Sequence, residues 1–291
     1  MILHVIIVLL SLCSSNQAYF SGLKTTNVAR VSDAKIIKNI EQEIVKSNHL
    51  TVLGTYAADF NAIEYAQRLI HYWPSLKSSG IKSGTFILNA EISACKAFES
   101  LLPSFPKEIT IISDPSGSIG KEFNCSRGWL PDANISPYLK LFIMFFGFGG
   151  KETLPSVIKG YIGNPDTTAK QSWIEESLRI GTLAGRYPDT ALELDASGGI
   201  LKNKFDDLPI VGNWDQRPLE LATLRLQNML GISLKNWEIL RPSDDNLDVL
   251  TQLGGVFVTD KSRKIVFEWR DDGICHTCDF ASLAKELLQK K

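Results

Sequence analysis

The chain has 291 residues, of which 44% are hydrophobic and 22% charged, and its formal net charge is −1. That length and apolar content suit a globular domain with a large core. A near-neutral balance without a Lys/Arg cluster excludes a nucleic-acid face, which needs a basic patch to neutralise phosphates. At the N-terminus, Met1–Leu12 is apolar but too short to cross a membrane as a helix, and small and polar residues follow at Ser14–Ala18. Residues 1–18 therefore read as a secretory signal peptide, and no transmembrane span is expected in the mature chain.

Residues 19–40 hold Lys24, Arg30, Lys35 and Lys38 against only Asp33, the acid-poor composition of an organelle transit segment. Ala18-Tyr19-Phe20 resembles the Ala-Phe junction that joins signal and transit peptides in algae with secondary plastids. The expected destination is a complex plastid reached by the secretory route, with plain secretion as the alternative.

A folded domain is expected over residues 45–290. Leu50–Gly54 reads as a buried strand, and Asn61–Trp73 as a helix closed by Pro74, with Asp59 or Asn61 capping it. Gly84–Asn89 is a second strand, Ile92–Leu102 a helix ended by Pro103, and Ile109–Ser113 a third strand. Such alternation implies parallel strands joined by right-handed crossovers. The connection that follows, residues 129–250, is far too long to lack structure and reads as a mostly helical insertion. Within it, Tyr138–Phe148 is about half a membrane span and is expected as a buried helix packed on the sheet. Ser172–Leu178 and Pro218–Leu230 read as helices, and the Gly-, Asp-, Asn- and Pro-rich Asp189–Gln216 as a surface loop. Gly255–Thr259 and Lys264–Trp269 form a hairpin around Asp260–Arg263, and Phe280–Gln289 is a closing amphipathic helix.

A parallel half, then an antiparallel hairpin and a last helix, is the thioredoxin order. Asp114-Pro115-Ser116-Gly117 with Ile119–Phe123, and Leu250–Asp260 with Lys264–Asp272, resemble the peroxiredoxin-like, AhpC/TSA-related family. Asp59–Ala66, Gln216–Arg225 and Arg270–Ile274 are similar to its cyanobacterial and chloroplast sub-branch. The resemblance implies an α/β fold, a thioredoxin-like mixed sheet flanked by helices. If active, such a protein is a thiol-dependent peroxidase or disulfide oxidoreductase working with an external thiol reductant. No cofactor or metal is implied, and the sequence names no other partner.

That family carries its working thiol where the first strand meets its helix, yet Thr55–Asn61 contains no cysteine. The Pro-x-x-x-Thr-x-x-Cys motif of active peroxiredoxins is missing, and Gly254-Gly255 stands where thioredoxins place a cis-proline. The candidate redox pair is Cys275-His276-Thr277-Cys278, just before the last helix. One sulfur of such a dithiol attacks as thiolate and the other resolves the intermediate, and His276 would add positive charge. Against this, Asp271, Asp272 and Asp279 raise a neighbouring thiol's pKa, and two surface or half-buried thiols without catalysis are the alternative. Zn²⁺ wants four ligands, and His4, His49 and His71 offer no spacing for a site. Cys95 reads as a small core residue, whereas Cys125 is a third candidate, expected near a solvent-facing turn with Lys121 and Arg127 favouring its thiolate. Glu122 and Glu152 spoil the phosphate-loop pattern at Gly117–Lys121 and Gly147–Lys151. Two functions remain open: a thiol-redox or antioxidant protein, or a non-catalytic thioredoxin-fold module whose insertion binds a partner and exposes Tyr138–Phe148.

Overall fold

A computed structural model describes residues 28–162, 172–186, 192–195, 200–203 and 216–289. The expected signal peptide and residues 19–27 lie outside this set. In chain order come β1 (Ala29–Arg30), α1 (Glu41–Ile44), β2 (His49–Leu53), α2 (Phe60–Ser78), β3 (Ser83–Leu88), α3 (Ile92–Leu101), β4 (Ile109–Ser113) and α4 (Ser118–Glu122). The insertion contributes α5 (Pro137–Met144), α6 (Thr153–Val157) running into a π-helical turn at Ile158–Ile162, α7 (Ser172–Leu183), β5 (Leu192–Leu194), β6 (Ile200–Asn203), α8 (Gln216–Ser233) and α9 (Trp237–Leu240). A 3₁₀ stretch, Asp244–Thr251, leads to β7 (Gly255–Thr259), β8 (Ile265–Arg270) and α10 (Phe280–Gln289).

The main sheet has six strands in the order β1-β4-β3-β2-β7-β8. β2, β3 and β4 run parallel, and β7, β8 and β1 are antiparallel to their neighbours, a thioredoxin-like mixed sheet. Alternation along the strands feeds two cores. Leu50, Val52, Phe86, Leu88, Val256 and Val258 join the larger core with residues of α2, α3 and α10. Leu53, Ile87, Ile112 and Phe257 join a smaller one on the other face, with Ile40, Ile44, Ile119, Phe123 and Cys125. No described helix is long and apolar enough to cross a membrane.

Four expectations change. Pro74 does not close α2, which runs on to Ser78. The turn beyond it is kept because Leu76 is fully buried, Ser78 Oγ donates to the Pro74 carbonyl at 3.0 Å and Ile81 N–H caps the Leu76 carbonyl at 3.1 Å. Tyr138–Phe148 is not a buried helix. α5 touches the body along one narrow edge, Lys140 and Met144, and Phe142, Phe146 and Phe148 are each 57–58% exposed. Beyond α5 the chain turns through Gly147 and Gly149 at φ +89° and +74°, and a Cβ at Gly149 would lie 2.4 Å from Trp129 N, so only glycine fits there. The stretch Asp189–Gln216 holds an antiparallel ribbon, β5 with β6, whose alternating Leu192 and Leu194 are the strand signal outweighed by the turn residues around it.

The fourth change is at the N-terminal boundary. β1 pairs with β4, and Val28, Val31, Ile37 and Ile40 are buried, so residues 28–40 belong to the fold and the domain starts before residue 45. The positive charge read as a targeting feature has a structural partner, for Arg30 bonds Glu43 at 2.6 Å and Asp33 at 3.0 Å. Removing residues up to 40 would strip an edge strand and leave an apolar hole over β4. Accordingly, Ile40→Ala should lower unfolding free energy by about 2–5 kcal/mol, read as a reduced urea midpoint, whereas an unattached leader segment would give no shift.

Candidate functional site

α2 begins at the junction where the resemblance places a thiol. Asp59 caps it, accepting from Asn61 N–H at 3.4 Å. Burial pushes the Asp59 carboxyl up to about 6. Thr55, Tyr56, Ala57 and Ala58 are all buried. Ser233 Oγ at the end of α8 donates to the Ala58 carbonyl at 2.6 Å, and Trp237 packs edge-on against Tyr56 with ring centroids 6.3 Å apart. The junction is thus plugged by the end of the insertion. Beside it, a Cβ on Gly254 would lie 2.2 Å from the Leu53 carbonyl oxygen, which holds this loop hard against the end of β2.

The Cys275-x-x-Cys278 loop lies against the first turns of the same helix. Asn61 is the first clasp: its Oδ1 accepts from Cys275 N–H at 2.6 Å, while Nδ2 donates to Asp271 at 3.1 Å and to the Gly273 carbonyl at 3.4 Å. Tyr65 is the second, donating to Asp271 at 2.5 Å and accepting from Cys278 N–H at 3.2 Å. Glu64 is the third. It takes Thr277 Oγ1 at 2.7 Å, Arg68 at 2.8 Å and Arg225 of α8. Residues one turn apart on α2 therefore fasten successive positions of one loop. Arg68 and Arg225 also lie over the Trp173 ring of α7, 4.5 and 5.0 Å from its centroid.

Charge in this region is set by burial. Asp271, with donors Tyr65, Asn61 and Trp269 around it, is pushed by burial up to about 7, and those hydrogen bonds only partly oppose the shift. Burial also works to raise Glu64, but Arg225 and Arg68 outweigh it and hold the carboxyl below its usual range. The Cys278 thiol is pushed up by burial and by Asp271, against a weaker pull from Arg68. Burial lowers His276, whose Nδ1 accepts from Asp272 N–H at 3.2 Å. The cation that the sequence suggested beside the thiols is therefore a neutral imidazole.

All of this sits in a fold whose ancestry one comparison decides. A family model described as AhpC/TSA antioxidant enzyme matches residues 68–273. The chain belongs to the AhpC/TSA antioxidant enzyme family. No curated protein and no solved structure matches it. The stretch matched in this AhpC/TSA protein starts after Asn61, Glu64 and Tyr65 and stops before Cys275, so it covers the scaffold and neither the helix junction nor the dithiol.

The remaining sequence candidates scatter. Cys275 and Cys278 are both buried rather than surface or half-buried, and no disulfide joins the four described cysteines. Cys125 follows the turn at Phe123–Asn124, where Asn124 is exposed, but its own side chain is buried. It sits in the smaller core, where burial and Asp271 push its thiol up to about 12, and Lys121 points instead to the Ser116 carbonyl at 2.8 Å. Cys95 is a core residue of α3, its thiol raised by burial, as the sequence implied. Among the described residues no group of His, Cys, Asp and Glu could hold a metal. An open cleft of about 310 Å³ flanks the loop between Gly147–Lys151, Leu253 and Asp272.

The clasping roles of Asn61, Glu64, Tyr65 and Arg225 escaped the sequence reading. α2 carries Asn61, Glu64, Gln67 and Arg68 on the side opposite Ala62, Ile63, Ala66, Leu69 and Trp73, the pattern of a solvated face, yet Asn61, Glu64 and Gln67 are buried under the loop and the insertion. The titration of Asp271 has a definite sign. Between pH 4 and 7 the unfolded carboxyl has lost its proton and the folded one keeps it, so its contribution to stability falls as pH rises, by at most about 1.4 kcal/mol per pH unit. Asp271→Asn should remove that slope between pH 4.5 and 6.5 in urea unfolding series. Parallel slopes for the two proteins would mean that Asp271 is ionised throughout.

Proposed function

We propose that this AhpC/TSA protein is a thiol-redox protein of the plastid, with Cys275 and Cys278 as its redox pair and the peroxidatic position of the family vacated at Thr55–Asn61. The observation that carries the reading is the fastening of both cysteine backbones: Cys275 N–H to Asn61 and Cys278 N–H to Tyr65, with Asp271 joining the two side chains. A loop serving only to connect β8 to α10 needs no such network, and a left-handed Cys275, φ +65°, is a conformation that a non-glycine residue adopts at a cost. In the reaction, one thiolate attacks a hydroperoxide, releasing water or alcohol and leaving a sulfenic acid. The second thiol displaces water to close the disulfide, and an external dithiol reductant restores the pair by exchange. Two buried thiols, with that of Cys278 pushed up by burial, favour slow, gated turnover over a fast peroxidase.

Mass-spectrometric titration of thiols before and after a peroxide pulse, then after a dithiol reductant, tests this directly. The expected result is a reversible loss of two thiols at Cys275 and Cys278, abolished in Cys275→Ser along with any peroxide- or insulin-reducing turnover. Slow, scattered oxidation would remove the redox reading. The plastid destination rests on Met1–Leu12, Ala18–Phe20 and the resemblance to the cyanobacterial and chloroplast sub-branch. A fusion of residues 1–27 to a fluorescent protein checks it, since retention in the secretory pathway would favour secretion.

One observation favours a second reading, a non-catalytic interaction module. Tyr138, Leu139, Phe142, Phe145, Phe146 and Phe148 stand exposed on and just after α5, a larger apolar ridge than a solitary soluble domain usually shows. On this reading Phe142→Gln with Phe146→Gln should cut the binding of an apolar fluorescent dye to the native protein several-fold without changing far-ultraviolet circular dichroism.

A further inference from the structure

The insertion reaches the dithiol loop from two sides. On one, Thr153 at the start of α6 accepts from Ile274 N–H at 3.0 Å, and Glu152 N–H donates to the Asp272 carbonyl at 3.1 Å. The approach is tight there: a Cβ on Gly273 would lie 2.4 Å from Thr153 N, and one on Gly150 3.0 Å from Gly273 Cα. On the other side Arg225 of α8 holds Glu64, which also takes Arg68 and accepts from Thr277, one of the two residues between the cysteines. Arg225 also donates to the Gly160 carbonyl at 3.3 Å, tying α8 to the turn that continues α6. Both catches therefore belong to one connected unit outside the sheet.

Resting on the dithiol reading above, we propose that the insertion is a latch holding the Cys275/Cys278 loop shut, with Thr153 and Arg225 as its two catches. In the closed form described here Cys278 is 1% exposed and Cys275 9%, so neither a hydroperoxide nor a reductant's sulfur reaches both thiols. Opening needs no sheet hydrogen bond to break, because the loop lies beyond the last paired residue of β8, Arg270. The bonds to be released are those to Thr153, to Glu152 N–H and, through Glu64, to Arg225, and then those of Asn61 and Tyr65 to the Cys275 and Cys278 N–H groups and of Arg68 to the Cys278 carbonyl. Local openings of this kind occur well below the free energy of global unfolding. The Asn61 and Tyr65 clasps stay with the sheet-bound helix and set the position to which the loop returns.

The test is the alkylation rate of each cysteine in the full-length native protein by iodoacetamide, read by peptide mass, with Cys95 in the α3 core as the internal clock. Thr153→Val removes the acceptor for Ile274 N–H at nearly constant volume, and Arg225→Leu removes the other catch. Because Arg225→Leu takes one of two guanidiniums off the buried Glu64 and can fail to fold, Thr153→Val carries the test alone if it must, and Arg225→Lys should restore slow alkylation. The expected result is about a tenfold faster reaction at Cys275 and Cys278 with Cys95 unchanged. Unchanged rates, or all cysteines accelerating in step, overturn the latch. Alkylation consumes no oxidant, so a selective rise without any reversible disulfide would sink the redox reading and leave the latch standing.

Discussion

Burying the Glu64 carboxylate costs several kcal/mol of desolvation, and that cost is offset only while both guanidiniums and the Thr277 hydroxyl stay on it. Its partners come from different parts of the chain: Arg68 from its own helix, Arg225 from the insertion, and Thr277 from the loop after the hairpin. Trp173 roofs the pair of cations from α7. One buried charge thereby fixes where the insertion lands and where the Cys275–Cys278 loop lies. Losing one guanidinium would leave the buried carboxylate with a single cation and an unfilled acceptor site, a destabilising polar substitution.

The same desolvation that forces Glu64 to be paired works against a thiolate. Cys278 sits beside Asp271, a second buried carboxyl, which stays largely protonated up to about pH 7. A helix N-terminus ordinarily lowers a thiol's pKa by aiming amides at the sulfur. Here the amides are otherwise engaged. On α2, Asn61 N–H goes to Asp59, and on α10, Ala281 N–H and Ser282 Oγ go to Asp279 at 2.9 and 2.8 Å. Both helix starts are capped by carboxylates, so on the proposed redox reading reactivity depends on opening the site to solvent more than on the resting field within it.

Local patterns were legible and long-range partnerships were not. Ile109–Ser113, Gly255–Thr259 and Phe280–Gln289 can be read residue for residue because strand alternation, glycine boundaries and a helical apolar stripe are each encoded within a few residues. Pro74 misled because its local cost is overridden by the burial of Leu76 two residues on. Tyr138–Phe148 misled for the opposite reason, since an apolar segment is assumed to find a cover and α5 is buried only at Lys140 and Met144, with Leu141 packed half-buried against the larger core. The cysteine pair announced itself by spacing, yet Asn61 and Tyr65 lie more than 200 positions earlier in the chain, and nothing local joins them to Cys275 and Cys278.

The match to the AhpC/TSA family takes in β3, β4, β7 and β8 and leaves out the interior strand β2, the edge strand β1 and the cysteine pair. The stretch that matches the family, 68–273, includes Arg68, Thr153, Arg225 and Asp271, which frame and latch the loop. The contacts that place the cysteines, Asn61 to Cys275, Tyr65 to Cys278 and Glu64 to Thr277, have both ends outside it. A fold carries chemistry only through the groups grafted on it. On the redox reading proposed above, those groups lie not at the helix junction, which Ser233 and Trp237 plug, but on a loop fastened to the same helix. On that reading α2 is the platform for the thiols, with Asn61 and Tyr65 holding the backbone N–H groups of Cys275 and Cys278.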